Sequence, residues 1–150
     1  MRLLIAADSS IYSRAALDSI LTCPWPADTK FLVVCVVETC PERTDYWNPH
    51  SKDLLLEAQT YLVKEHESLA LSYLEALKTS FPDCTITTQV LEGFVVDKIL
   101  EAASDWSADL VVLGSHGRRG LTRFLLGSVS ESVASHASSS VRIVRLRRDD

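Results

Sequence analysis

Glycine is scarce in this chain, with five residues in 150, beside five prolines and one methionine. Such low Gly and Pro content excludes collagen-like and low-complexity architectures. No apolar run approaches the roughly 20 residues that a membrane span needs, so no membrane partner is expected. The opening MRLLIAAD has a basic residue and then apolar ones, but the run stops at Asp8 without a small-residue cleavage site. A buried strand accounts for it better than a signal peptide, and a cytoplasmic location is expected. Four cysteines, Cys23, Cys35, Cys40 and Cys84, make no CxxC pair and no metal-type cluster with the histidines, so reduced and mostly buried thiols are expected. The formal net charge of −5 lacks the broad excess of Lys and Arg that general nucleic-acid binding requires. Any anion must therefore be held locally.

What is present points to one α/β domain over residues 1–150, since 47% hydrophobic and 23% charged residues are ordinary values for a globular protein of this size. Short apolar runs alternate with stretches of helical period, the pattern of a parallel sheet covered by crossover helices. LLIAA (3–7) predicts a first strand, Asp8-Ser9-Ser10 a turn and cap, and YSRAALDSILT a helix stopped by Pro24 and Pro26. FLVVCVV (31–37) predicts a strand buried on both faces. Thr39 to His50 has two prolines and no period, so it is expected to be a loop, whose Tyr46 and Trp47 are candidates to cover a ligand or to pack on a helix. A long helix is expected over 51–80 with Leu55, Leu62, Leu69, Tyr73 and Leu77 on one stripe and His66 at its boundary. TITTQVLEG suits a strand near a sheet edge, Gly93 the turn into a helix with Val96, Ile99, Leu100 and Ala103, and DLVVLGS (109–115) another buried strand. A helix begins near Ser128, and VRIVRL (141–146) closes the sheet, its arginines solvated.

Four of the five glycines, Gly114, Gly117, Gly120 and Gly127, fall within fourteen positions that leave the carboxyl end of the fourth strand. In open α/β sheets, ligands lie beyond the carboxyl ends of the strands. Glycine there lets the backbone turn through positive φ and lets a backbone or ligand approach without a Cβ in the way. No Asp or Glu lies between Leu113 and Ser130, while Arg118, Arg119 and Arg123 do, forming a candidate phosphate clamp in an acidic protein. Ser128 is placed to cap a helix whose free amides and partial positive charge favour an anion. The cluster lacks the Lys of a P-loop and the GxG of a dinucleotide fingerprint.

The spacing G-x2-G-x9-G-[ST], carried by Gly114, Gly117, Gly127 and Ser128, resembles that of the universal stress protein family, and ADLVVLGSHGRRGLTRFLLGSVSESVASHASSSVRIVR is similar to that family's C-terminal half. LLIAADSSIYSRAAL is similar to its first strand, acidic residue and helix. The resemblance implies a five-stranded parallel sheet of order 3-2-1-4-5 with helices on both faces, and ATP binding in the branch that has the motif. It implies Asp8 on the adenine or ribose side, Ala6 and Val36 along the base, and Leu113 and Gly114 along the nucleoside. Gly117, Gly127, Ser128, Val129 and Ser130 would hold the phosphates. The sequence departs from the family where Asp8 is followed by Ser9-Ser10, and where Ser138-Ser139-Ser140 replaces a Cys or Pro. No residue set matches a dedicated magnesium cage, so Mg2+ enters only as a companion of ATP. The resemblance also implies a homodimer through the final strand, 141–146, and an unidentified protein partner. Three readings stay open: a stress-response regulator switched by ATP occupancy, a slow ATP hydrolase or phosphotransferase in the same crevice, and a nucleotide-free dimeric interaction protein. The first is favoured because γ-phosphate chemistry needs carboxylates for a metal, and the glycine-rich loop supplies none.

Overall fold

The first apolar run forms strand β1 (Arg2–Ala7), and Ser10 then caps helix α1 (Ile11–Leu21) by accepting the Ser13 N–H on its Oγ at 3.1 Å. The chain continues as β2 (Lys30–Glu38), α2 (Pro49–Ser80), β3 (Thr85–Gly93), α3 (Val95–Asp105), β4 (Leu110–Gly114), α4 (Ser128–His136) and β5 (Ser140–Val144). The computed structural model describes residues 1–39, 49–117 and 126–146. All pairings are parallel and the strand order is β3-β2-β1-β4-β5, as the family resemblance implies.

Alternate residues of the central strands feed two cores, one on each face of the sheet. Leu3, Ile5, Phe31, Val33 and Cys35 pack with Ala16, Leu17 and Ile20 of α1 and with Tyr73 and Leu77 of α2. Leu4, Leu32, Val34, Val111 and Leu113 pack with Ile99 and Ala103 of α3 and Val133 of α4. All seven inner residues of β2 are buried, which is why its sequence runs apolar without alternation. β3, expected near an edge, lies at one.

Two expectations fail here for geometric reasons. Leu55 and Leu62 do not join a core stripe; they are 69% and 38% exposed, and the buried positions of α2 begin at His66 and continue through Ala70, Tyr73 and Leu77. A helix of 32 residues extends roughly 48 Å, while the nine residues of β3 span about 30 Å, so the first turns of α2 overhang the sheet. His66 is buried, with Nδ1 2.7 Å from the Leu62 carbonyl oxygen. On β5, Arg142 is not a solvated side chain. Its guanidinium lies 5.2 Å from the centre of the Trp25 ring and donates to Cys23 Sγ at 3.5 Å.

The strand order reverses at β1, whose neighbours β2 and β4 begin opposite halves of the sheet, and this leaves a crevice beyond their carboxyl ends. Gly114 sets how closely α1 approaches that crevice. It does not take positive φ; among the described glycines only Gly93 does, at 141°. Its missing side chain instead admits the backbone of α1, because a Cβ at Gly114 would stand 2.6 Å from the Tyr12 carbonyl carbon. Gly114→Ala therefore forces α1 off β4 and is expected to cost about 1–3 kcal/mol. Urea unfolding checks this, and an unchanged midpoint contradicts the packing.

Candidate functional site

Asp8 leaves β1 and folds back on the start of α1. Its Oδ1 accepts the Ser10 N–H at 2.9 Å and its own N–H donates to Ser13 Oγ at 3.0 Å, an arrangement natural to an Asp before a helix. Ser13 Oγ shares a buried 2.8 Å hydrogen bond with Tyr73 Oη of α2, which ties the first turn of α1 to the helix beside it on the same face of the sheet. The other carboxylate oxygen, Oδ2, faces Gly117, where a Cβ would lie 3.0 Å away.

Across the crevice, one carbonyl gathers both ends of the glycine-rich segment. The Ser115 oxygen accepts the Gly127 N–H at 2.8 Å and Ser130 Oγ at 2.9 Å. Gly127 sits so close that a Cβ there would be 3.1 Å from the same oxygen. The N-cap of α4 is Gly127, not Ser128 as expected, and no side chain caps the helix. Ser130 Oγ donates to the Ser115 oxygen and lies 2.8 Å from the Gly127 carbonyl oxygen. The backbone amides of Ser128, Val129 and Ser130 thus begin the helix without a side-chain acceptor, and a helix N-terminus carries roughly half a positive charge.

These elements enclose a cavity of about 750 Å³. Ala6, Val36, Leu113 and Gly114 form its strand wall, and Asp8 closes one side. Gly117, Gly127, Ser128, Val129 and Ser130 form the glycine-rich side. All ten residues named as nucleotide contacts from the resemblance therefore meet in one space. Arg118, Arg119 and Arg123 of the expected clamp, and Tyr46 and Trp47, lie outside the described residues.

The sequence reading missed the third wall. Phe94, Val95, Val96 and Asp97 at the start of α3 line the cavity, as do Val34 and Glu38 of β2. The available signal was topological: Gly93 ends β3 at the same carboxyl edge that Gly114 leaves, so the helix after it opens on the same crevice. His116 also lines the cavity, but its ring packs on Tyr12 with centroids 4.9 Å apart, and Nδ1 meets Ser115 Oγ at 3.2 Å. Its Nε2 is buried without a hydrogen-bond partner among the described residues.

Just behind this wall, Cys35 is fully buried, and burial, helped by the negative charge of Asp8, pushes its thiol up from 9.0 to about 12. Tyr73 is raised for the same first reason, burial, with the Ser13 hydrogen bond opposing and Asp8 reinforcing. A native pKa above the unfolded one means that the folded state holds the proton more tightly. The Cys35 contribution is therefore complete below pH 9 and is lost as pH rises toward about 12. Stability measured by denaturant titration is expected to fall through this alkaline window, and Cys35→Ala to have a shallower decline. Identical slopes for the two proteins contradict the assignment.

A family model described as the universal stress protein family matches residues 1–145. Universal stress protein MJ0531 of Methanocaldococcus jannaschii is 38% identical over 84 residues, which make up 56% of this chain and 49% of that protein. The match thus spans about half the length of that relative. Among solved structures, universal stress protein UspA from Lactobacillus plantarum superposes with a TM-score of 0.80 at 23% identity and covers 97% of each chain. A universal stress protein family protein from Arabidopsis thaliana, At3g01520 with AMP bound, gives a TM-score of 0.67 at 16% identity, covering 99% of this chain and 94% of that one. At these identities, the structural likeness is one of fold.

Proposed function

Because this chain belongs to the universal stress protein family, we propose that it is a single-domain, adenine-nucleotide-binding regulatory protein, with ATP, accompanied by Mg2+, as its nucleotide. The observation that carries this reading is the uncapped start of α4 opening into a cavity of about 750 Å³ beyond the strand ends, since pockets of roughly 300–1,000 Å³ suit small ligands. The AMP-bound relative from Arabidopsis supports an adenine nucleotide. In this reading, Gly117 and the amides of Gly127 to Ser130 hold phosphate, and Arg118, Arg119 and Arg123 close on it as counter-charges. Leu113 and Gly114 run along the nucleoside, Ala6 and Val36 face the base, and Asp8 Oδ2 accepts from a ribose hydroxyl.

Each assignment follows from what the groups offer. Backbone amides at a helix start bind an anion without paying for a flexible side chain to be ordered, and they need no counter-charge to be buried. A side chain at Gly127 would crowd the Ser115 oxygen and the His116 backbone, so glycine there lets the amides sit close to the strand wall. Magnesium, when bound with ATP, would neutralise phosphate charge; Asp8, Glu38 and Asp97 are the carboxylates that line the cavity and could face it or its waters. The regulatory role consists of occupancy altering the surface around the glycine-rich segment, which a partner protein reads in a cellular stress response. The three free thiols among the described residues, Cys23, Cys35 and Cys84, suit the reducing cytoplasm.

We further propose a homodimer formed along β5, whose outer edge has no strand beside it among the described residues. Light scattering should then give twice the 16.6 kDa of one chain, and the mass of a single chain refutes it.

Calorimetry with ATP and AMP, with and without Mg2+, tests the site. Ser128→Asp places a carboxylate at the first helical residue, where it stabilises the helix yet repels phosphate. Nucleotide affinity is expected to fall about tenfold or more while the thermal midpoint holds or rises. Flat heats in the unaltered protein, or equal binding by the variant, overturn the reading. Phosphate release that exceeds background and disappears in Ser128→Asp replaces the regulator with a hydrolase.

A further inference from the structure

The cavity has two chemically different halves. The polar half is made of backbone and hydroxyl groups at Gly117, Gly127, Ser128 and Ser130; the apolar half is made by Val34, Val36, Val95, Val96 and Ile99, with Phe94 among the residues that line it. Phe94 is an odd residue for its position in two respects. It is the N-cap of α3 and makes no side-chain cap bond, in a place where Ser, Thr, Asp or Asn would normally satisfy a free amide. It also leaves a large aromatic ring 60% exposed. Gly93 makes this placement possible, since its φ of 141° turns the end of β3 so that the next residue reaches the cavity.

A nucleotide has the same two halves, and only one orientation matches both. With phosphate at the uncapped start of α4, the base falls on the apolar side, where β2 and α3 meet. We propose that Phe94 is a specificity-determining wall of this site, stacking against a purine base and favouring purine over pyrimidine nucleotides. This inference rests on the nucleotide-binding reading above. Stacking grows with the overlapped ring area, so the larger bicyclic base gains more from an exposed phenyl face than a single ring does. The exposed ring and the unmade cap then have one explanation: α3 gives up a local hydrogen bond and keeps a flat apolar surface for the ligand.

Phe94→Asn separates this role from a structural one, because Asn is a good N-cap and a poor stacking partner. The variant should melt at a higher temperature than the unaltered protein. Its affinity for AMP should fall about tenfold, and the preference for AMP over CMP should narrow, while affinity for inorganic pyrophosphate changes by less than about twofold. Phe94→Trp should keep AMP binding and the purine preference. Unchanged AMP affinity in Phe94→Asn overturns the inference while leaving the nucleotide site standing. Equal losses for AMP and pyrophosphate with a lowered melting temperature overturn it as well, by revealing a merely structural role. An unaltered protein that binds neither AMP nor pyrophosphate overturns the underlying nucleotide reading.

Discussion

One carbonyl organises the crevice of this molecule. The Ser115 oxygen, one residue beyond β4, receives both the Gly127 N–H and the Ser130 hydroxyl, and so brings the start of α4 to the end of the strand that leads toward it. Each such bond adds only about 0.5–1.5 kcal/mol net, but leaving a buried carbonyl unpaired costs about 1–3 kcal/mol, which makes the open arrangement the unfavourable one. Glycine at 127 lets the approach be this close without displacing the Ser115 and His116 backbone, and the Ser130 hydroxyl sits between the Ser115 and Gly127 carbonyls. The bare amides of α4 follow from the same pin, because the glycine that the close approach selects as N-cap has no side chain to offer them.

Of the three helices whose first turns meet the cavity, α3 at Phe94 and α4 at Gly127 lack a side-chain cap, whereas α1, whose Ser13 also lines it, is capped by Ser10. A missing cap costs about 0.5–2 kcal/mol of local stability. Its occurrence at α3 and α4, which line the cavity together, fits a site in which the ligand supplies what the chain withholds. The α1 side of the cavity shows no such economy: the Asp8 N–H, Ser13 Oγ and Tyr73 Oη form a continuous chain of hydrogen bonds.

The strands and their parallel sheet were readable from continuous apolar runs such as FLVVCVV, because residues buried on both faces have no reason to alternate, while the strand order came only with the family resemblance. The clustering of Gly114, Gly117 and Gly127 pointed to the crevice for the same physical reason that places it there, the need for backbone approach. The reasons themselves were less readable. Gly114 accommodates Tyr12, a neighbour 102 positions away in sequence, not a positive φ. The cap of α4 was misplaced by one residue because propensity favours a serine, while the tertiary pin favours a glycine. Phe94 carried no signal of its own, and Arg142 looked like a solvated charge, until the fold brought the cavity to one and Trp25 to the other. Local pattern carried the elements; long-range contact decided which side chains serve the site.

The central claim is that the start of α4 is an anion seat joined to an apolar base pocket. Amide chemical shifts followed by NMR during titration with adenine nucleotide test it most directly. The account predicts that Gly117, Gly127, Ser128, Val129 and Ser130 move together with Val36 and Val95, on one saturating curve, while amides at the far ends of the strands stay still. Shifts that are absent from the α4 start, or that gather on another face of the molecule, would contradict it.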